Sequence, residues 1–561
     1  MNAVAALRSG GEVLADALLQ HGVEMAFAVC GESFLPLLDA LHDRPRLRLI
    51  GCRHEAGACV MAEASAKLTG APGVCLVSRG PGACHATIGL HTAFQDATPL
   101  VMLVGQVPRH YLEREAQQEI EYRRMLAPLA KWVAQVEQVD RIPEFVHRAF
   151  RVATSGRPGP AVLVLPEDVL EERTNVADCP PAPRARASPG AADLEAFCAL
   201  MAAAQRPVVI VGGAPWTDAG CEAISAFAAR NDVPVCCSYR RLDIVASRHE
   251  CFAGELAVSS NPLLLRRLRE ADLVLALGTR LSEPTTQDYT LLDVPMPRPT
   301  LVHVYPTAEE IGRVYRATLA IAAAPSEFAV AIADTTLPPS ASRSTWRAQL
   351  RELQREDATP RAPSRRFDPA QAMAWLRDRL PADAIVAFDA GAFSGWPARF
   401  LAFGRPGRVL APISGAMNYG LHAGVAASLA HPDRVVVVCA GDGGFVMSEA
   451  ELATASRHGC RLVVLLFDNG QFASVRVHQE RRYPGRPVGL DLTNPDFGML
   501  ARSYGAHAER VERTEDFAGA WERSLASGKA AVIDLRVDAD QLSSRVTLAD
   551  LRRRGEYNGR H

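Results

Sequence analysis

Several features are scarce in this 561-residue chain, and each scarcity removes a class of function. No uninterrupted apolar run is long enough to cross a bilayer. No long basic block occurs, and the formal net charge is only −2. Neither a membrane nor nucleic acid is therefore the expected partner. The opening segment, 1–24, is amphipathic, carries Glu12 and Asp16 and lacks an apolar signal-peptide core, so a cytoplasmic protein is expected. The 13 cysteines offer no paired metal-ligand spacing. Cys236-Cys237 has no matching pair, Cys75 and Cys439 sit inside apolar runs, and Cys198 and Cys221 fall in helical patterns. Buried free thiols are the expectation, not disulfides or zinc. Gly212-Gly213-Ala214 follows a strand-like run without completing a GxGxxG fingerprint, so by itself it identifies no dinucleotide site.

What is present fits a large α/β enzyme. A hydrophobic content of 48% supports extensive cores, and the length suggests about three domains. Residues 1–175 alternate helical patterns with strand candidates Glu24–Val29, Val74–Val77, Leu100–Val104 and Ala161–Leu165. A Pro-rich linker around Cys179–Pro183 leads to a second unit, 192–335, with strands Val208–Val211, Leu273–Leu277 and Leu301–Val304. A second linker contains a charged helix around Arg347–Glu356, with Pro360 and Pro363 after it. The third unit, 367–545, has strands Ile385–Phe388, Val435–Val438, Leu462–Phe467 and Ala531–Leu535. The tail, 546–561, carries Arg552-Arg553-Arg554 and reads as solvated in preference to covering a site. The expected fold is three doubly wound parallel-sheet domains.

Chemistry concentrates in 434–472. An apolar β-branched run ends in Gly441-Asp442-Gly443-Gly444; a helical segment and a second apolar run follow, ending in Asp468-Asn469-Gly470. In a parallel sheet both turns fall at the carboxyl edge, where such folds bind ligands. Asp442 and Asn469 then offer hard oxygens that suit Mg²⁺ bridging to phosphates. Taken alone, a GDG turn is ordinary βαβ punctuation. Elsewhere, Glu55 stands at a strand-to-helix junction in Arg53-His54-Glu55-Ala56, and Ser78-Arg79-Gly80-Pro81-Gly82 follows a strand. Gln118 lies in a polar stretch that reads as helical, and Met417 sits in a Gly-flanked turn, Ser414–Gly420.

Together these stretches resemble the thiamine-diphosphate enzymes, in particular their acetolactate synthase-like branch, over nearly the whole chain. The segment from Arg53 to Gly82 resembles the pyrimidine-binding segment, and GDG followed by Asn469 resembles the diphosphate signature. The resemblance implies pyrimidine-binding, central Rossmann-like and diphosphate-binding domains. It implies that Glu55 hydrogen-bonds N1′ of the aminopyrimidine and that Gln118 is an active-site glutamine. Asp442, Asn469 and the Gln471 carbonyl become Mg²⁺ ligands. Gly443 and Gly444 contact the diphosphate, Gly31 and Gly441 join the cofactor contacts, Gly415 receives the 4′-amino group, and Met417 holds the cofactor bent. The implied reaction is decarboxylation of a 2-oxo acid with transfer of the acyl-anion equivalent to an acceptor. The implied assembly is a homodimer or homotetramer with the active site at a subunit interface.

Departures from the family pattern bear on substrate. Asp468-Asn469 replaces Asn-Asn, and Cys84-His85 replaces the common Thr-Asn after Gly-Pro-Gly. Asp389-Ala390-Gly391-Ala392-Phe393 lacks a Gln-His pair found near the diphosphate, and His478 stands where acetolactate synthases carry a tryptophan. Gly278-Thr279-Arg280-Leu281 matches a flavin-binding segment only in part, which leaves FAD open. The alternatives are a related lyase or decarboxylase acting on another donor, or a non-catalytic cofactor-binding homologue.

Overall fold

Strands Leu100–Gln106 and Pro160–Pro166 are buried at every residue, as strands covered on both faces must be. That burial explains their unbroken apolar sequence. The computed structural model describes residues 7–213, 215–362 and 365–558, with side chains to residue 553; Ala214, Pro363 and Arg554 side-chain features lie outside the described set. Three six-stranded sheets, parallel throughout, form the α/β architecture. The chain divides into two compact units. One holds the described residues up to Ala185 together with Val425–Ala430, and the other holds the rest.

In the first unit the strand order is Arg48–Gly51, Met25–Ala28, Gly73–Val77, Leu100–Gln106, Pro160–Pro166, Trp132–Gln135. The chain steps from Met25–Ala28 to one side and returns on the other, so the order reverses between Met25–Ala28 and Gly73–Val77. A crevice opens at the carboxyl ends of such a strand pair. Gly73 is required by close packing, because a Cβ there would lie 1.9 Å from the Ala62 carbonyl oxygen.

The second unit carries two sheets. Its central sheet runs Phe252–Leu256, Val235–Ser238, Pro207–Val211, Leu273–Leu277, Thr300–Tyr305, Leu319–Ala322. Its other sheet runs Arg408–Leu410, Ile385–Phe388, Val436–Gly441, Val463–Asp468, Ala531–Arg536, His507–Val511. Here the reversal falls between Ile385–Phe388 and Val436–Gly441. One apolar core joins the two sheets, from Phe197 and Phe227 to Trp396 and Phe400. The linker helix is Ala341–Asp357, longer than its charged sequence core suggests. In the central sheet's own reversal, the two glycine turns lie against each other: a Cβ on Gly213 would sit 1.8 Å from the Gly278 carbonyl oxygen.

Two expectations are corrected. Gln118 lies in a turn with φ +68°, not in a helix, because the stretch 112–121 contains no complete helical turn. The tail is not simply solvated. Leu551 packs in one apolar cluster with Val477 and Leu542, and Arg552 forms an ion pair with Glu480 at 3.4 Å. Among the described residues no helix is long and apolar enough to cross a membrane.

Candidate active site

The reversal in the third sheet sets the geometry of the clamp. Val436–Gly441 and Val463–Asp468 are parallel neighbours with Gly441 opposite Phe467, so the turns that follow leave the same edge side by side. A cavity of about 720 Å³ opens there. Gly415, Met417, Gly441, Asp442, Gly443, Gly444, Asn469 and Gln471 all line it, as does His478 near its mouth. The glycines are sterically required. A Cβ on Gly443 would lie 2.6 Å from the Phe472 ring, and one on Gly444 would lie 2.4 Å from the Asp389 carboxylate.

Asp442 and Asp468 are both nearly fully buried, yet they differ in charge balance. One Asn494 amide nitrogen donates to both, at 2.9 Å each, and Gly470 N–H donates to Asp442 at 2.8 Å and to Asp468 at 3.2 Å. Asp468 is ion-paired with Arg536. Among the described residues Asp442 has no cationic side-chain partner; Gly443 N–H also donates to it, at 3.0 Å. Burial pushes the Asp442 carboxyl up, against the lowering effects of Asn494 and the backbone N–H groups of Gly443, Gly470 and Asn469. A buried carboxylate without a counter-charge is costly, and a hard divalent cation is the partner its oxygen chemistry suits. Asn469 offers a neutral oxygen beside it. The Gln471 side chain is already engaged, donating to Ala539 O at 2.6 Å. Its carbonyl accepts from Ala473 N–H at 2.9 Å and retains a second lone pair. The donor set fits Mg²⁺ and the glycine cradle fits a diphosphate.

Asp389, which follows Ile385–Phe388, fills the space behind this cradle. Its carboxylate accepts from the N–H groups of Ala390 at 2.8 Å, Tyr419 at 3.2 Å and Asn418 at 3.3 Å. It thereby caps the helix Tyr419–Ala430 from another segment. Burial pushes it up from 3.8 to about 7. The native state holds this proton where the unfolded chain has released it, so the group subtracts stability as pH rises from about 4 through about 7. Asp389→Asn keeps an acceptor oxygen and removes the titration. Urea unfolding at several pH values is expected to show wild-type stability falling across that window relative to the variant. Parallel pH dependences would refute the assignment.

The first unit assembles the other predicted residues. Glu55 is the first residue of the helix Glu55–Thr69, capped by the His54 ring, which accepts from Ala56 N–H at 3.1 Å. The Glu55 carboxylate meets His85 Nδ1 at 2.9 Å, and the His54 and His85 rings stack with centroids 4.6 Å apart. Gly82 backs the carboxylate, since a Cβ there would lie 3.4 Å from Glu55 Oε1. Gly31 packs on Ser78, where a Cβ would lie 2.5 Å from the hydroxyl. Gly80 packs on Gln118, and Arg79 Nε donates to Gln118 Oε1 at 3.2 Å. Gly80 N–H donates to the Tyr122 hydroxyl at 2.7 Å, and burial pushes that phenol up to about 12. The turn 78–82 thus draws Glu55, Gly31 and Gln118 to one reversal point.

Models of the thiamine pyrophosphate enzyme N-terminal binding, central and C-terminal binding domains match residues 8–125, 194–332 and 389–535. Along most of its length the chain is 30% identical to the acetolactate synthase large subunit of Parasynechococcus marenigrum, covering 94% of this chain and 87% of that one. The chain belongs to the thiamine pyrophosphate enzymes. It is also 29% identical to the acetolactate synthase isozyme 2 large subunit of Escherichia coli, over 94% of this chain and 96% of that one. A probable acetolactate synthase large subunit of Methanocaldococcus jannaschii is 28% identical over 94% and 92%. This thiamine pyrophosphate enzyme is accordingly of the acetolactate synthase-like type.

Sequence reasoning missed three parts of the site. Asn494 bridges the two aspartates from Thr493-Asn494-Pro495, where the only signal is a turn dipeptide. Arg240 and Arg545 enter the cavity wall from segments with no motif. The departures at Asp468, Asp389 and His85 prove to be contacts within the two site regions.

Proposed function

We propose that this enzyme decarboxylates a 2-oxo acid and transfers the acyl-anion equivalent to an acceptor carbonyl. The observation that carries the reading is the uncompensated, buried Asp442 beside Asn469 and the Gly441–Gly444 cradle. Asp442, Asn469 and the Gln471 carbonyl hold Mg²⁺, and Gly443 and Gly444 N–H groups hold the diphosphate. Bound thiamine diphosphate supplies a nucleophilic carbon and an electron sink for decarboxylation. Glu55 would hold a proton toward the cofactor's pyrimidine ring, the Gly415 carbonyl would accept from its amino group, and the Met417 side chain would support it. Gly31 and Gly441 give backbone contacts, and Gln118 faces the reacting substrate.

Glu55 of one subunit serves the clamp of another in this reading, so the working form is a homodimer or homotetramer. The reaction is redox-neutral and gives a flavin no electron-transfer role, which leaves structural FAD open. A cytoplasmic enzyme is consistent with buried free thiols such as Cys75, Cys236, Cys237 and Cys439. His478 favours a second reading, a lyase or decarboxylase for another donor, because it occupies the cavity position where the resemblance implies tryptophan. The test is incubation of the protein, thiamine diphosphate and Mg²⁺ with a panel of 2-oxo acids, pyruvate included, recording CO₂ and the carbon product by mass spectrometry. Acetolactate from pyruvate is the expected product. Release of free aldehyde or decarboxylation of a different acid alone would select the second reading, and no decarboxylation would defeat both.

A further inference from the structure

Arg240 is the unusual cation of the cavity. It follows the strand Val235–Ser238 with φ +66°, a left-handed conformation that a non-glycine residue adopts only when its surroundings hold it there. Its backbone N–H donates to Glu255 Oε1 at 2.8 Å. The residue is 4% exposed, and its guanidinium crosses from the central sheet to the third sheet of the same unit. There Nη2 donates to Ser394 Oγ at 3.1 Å, while the Ser394 hydroxyl donates to Gly391 O at 2.7 Å. Nε has no partner. The Tyr239 and Phe388 ring centroids lie 4.9 and 5.6 Å from the guanidinium carbon.

The nearby acids do not pair with it. Glu255 engages the Arg240 backbone N–H, and Asp389 accepts the N–H groups of Ala390, Asn418 and Tyr419. Among the described residues no carboxylate lies at ion-pair distance from the guanidinium. A buried, permanently charged guanidinium with one neutral hydrogen bond is incomplete, since its fork geometry is built for a planar or tetrahedral oxyanion.

The place where it arrives gives that oxyanion an identity. Ser394 ends the turn Ala392–Ser394, whose Ala392 and Phe393 side chains have no hydrogen-bond donors. The Phe393 ring lies against the clamp, because a Cβ on Gly441 would be 2.9 Å from it. Arg240, Phe393, Ser394, Gly441 and Gly443 line the same cavity. The third domain therefore brings apolar side chains to the edge of its own cradle, and the central domain brings an unpaired cation to the same edge. We infer that Arg240 binds the diphosphate of the cofactor, making the central domain part of the diphosphate site. This rests on the proposed function.

The test is calorimetric titration of the purified full chain with thiamine diphosphate and with thiamine, both with Mg²⁺, for wild type, Arg240→Met and Arg240→Lys. Arg240→Met is expected to weaken thiamine diphosphate binding at least tenfold while leaving thiamine affinity unchanged, with Arg240→Lys in between. Unchanged thiamine diphosphate affinity in Arg240→Met would overturn the inference. Equal loss for both ligands would also overturn it, by assigning Arg240 to the domain framework. A raised KM for the 2-oxo acid with unaltered cofactor affinity would overturn it in favour of a substrate carboxylate. If wild type binds no thiamine diphosphate, the proposed function itself fails, an outcome distinct from an effect confined to the variant.

Discussion

Glu55→Gln is expected to slow CO₂ release from the 2-oxo acid by about 10²–10⁴-fold, the range for removing a positioned acid–base group. The substitution is close to isosteric. It leaves the helix Glu55–Thr69 intact, because the cap is supplied by His54. It also leaves an oxygen or amide nitrogen to face His85, which stands 2.9 Å from the carboxylate. What disappears is the exchangeable carboxyl proton. The loss should therefore appear in kcat, with affinity for thiamine diphosphate changed by only a few-fold. Turnover within threefold of wild type would remove Glu55 from the chemistry and leave it as an ordinary acid at a helix start.

Asp442→Asn should separate cofactor binding from folding. With its single oxygen placed at the Oδ2 position, the variant still accepts from Gly470 N–H and the Asn494 amide, and only the Gly443 N–H contact to Oδ1 is lost. It removes a buried charge that has no side-chain counter-ion among the described residues. Burial raises that carboxyl, so ionising it costs the folded state at neutral pH. The metal-free variant should consequently be at least as heat-stable as the metal-free wild type. Its affinity for Mg²⁺ and thiamine diphosphate should fall by about 100-fold or more, since even outer contacts to a metal ligand are worth about 10–100-fold. Asp468→Asn should cost less in metal affinity, because Asp468 is already compensated by Arg536. Calorimetry and thermal melts with and without Mg²⁺ measure both effects. Equal losses in the two variants would contradict the assignment of Asp442 over Asp468 as the ligand.

The parts of the fold legible in sequence are those buried on both faces. All eleven runs read as strands lie on strands in the structure, because interior parallel strands are continuous apolar segments. Within the three six-stranded sheets, the unread strands are the six edges, Arg48–Gly51, Trp132–Gln135, Phe252–Leu256, Leu319–Ala322, Arg408–Leu410 and His507–Val511, and one buried interior strand, Val235–Ser238, whose short Val-Cys-Cys-Ser run carries little strand signal. Edges mix polar residues into short runs, and the burial of His507–Val511 is only partial until Val511. The clamp was legible because a turn after each of two adjacent strands must leave the same sheet edge. The role proposed for Glu55 rests on the family resemblance, since its position alone also fits a helix-start acid. Asn494, Arg240 and Arg545 were not legible. Each reaches the site from a distant segment, and nothing local marks which side chain the fold will turn inward. The tail misled for the same reason, because Arg552 looks solvated until Glu480 is seen beside it.

In the proposed function this chain assembles a working thiamine site, with Asp442 and Asn469 anchoring the cofactor and Glu55 activating it. Exchange of the cofactor's C2 proton with deuterated water, followed by quenched-flow NMR, reads that activation without requiring the physiological substrate. Wild-type protein with Mg²⁺ is expected to exchange this proton orders of magnitude faster than free thiamine diphosphate, and Glu55→Gln to lose most of the acceleration. Exchange in the wild type no faster than in free cofactor would contradict the proposed function.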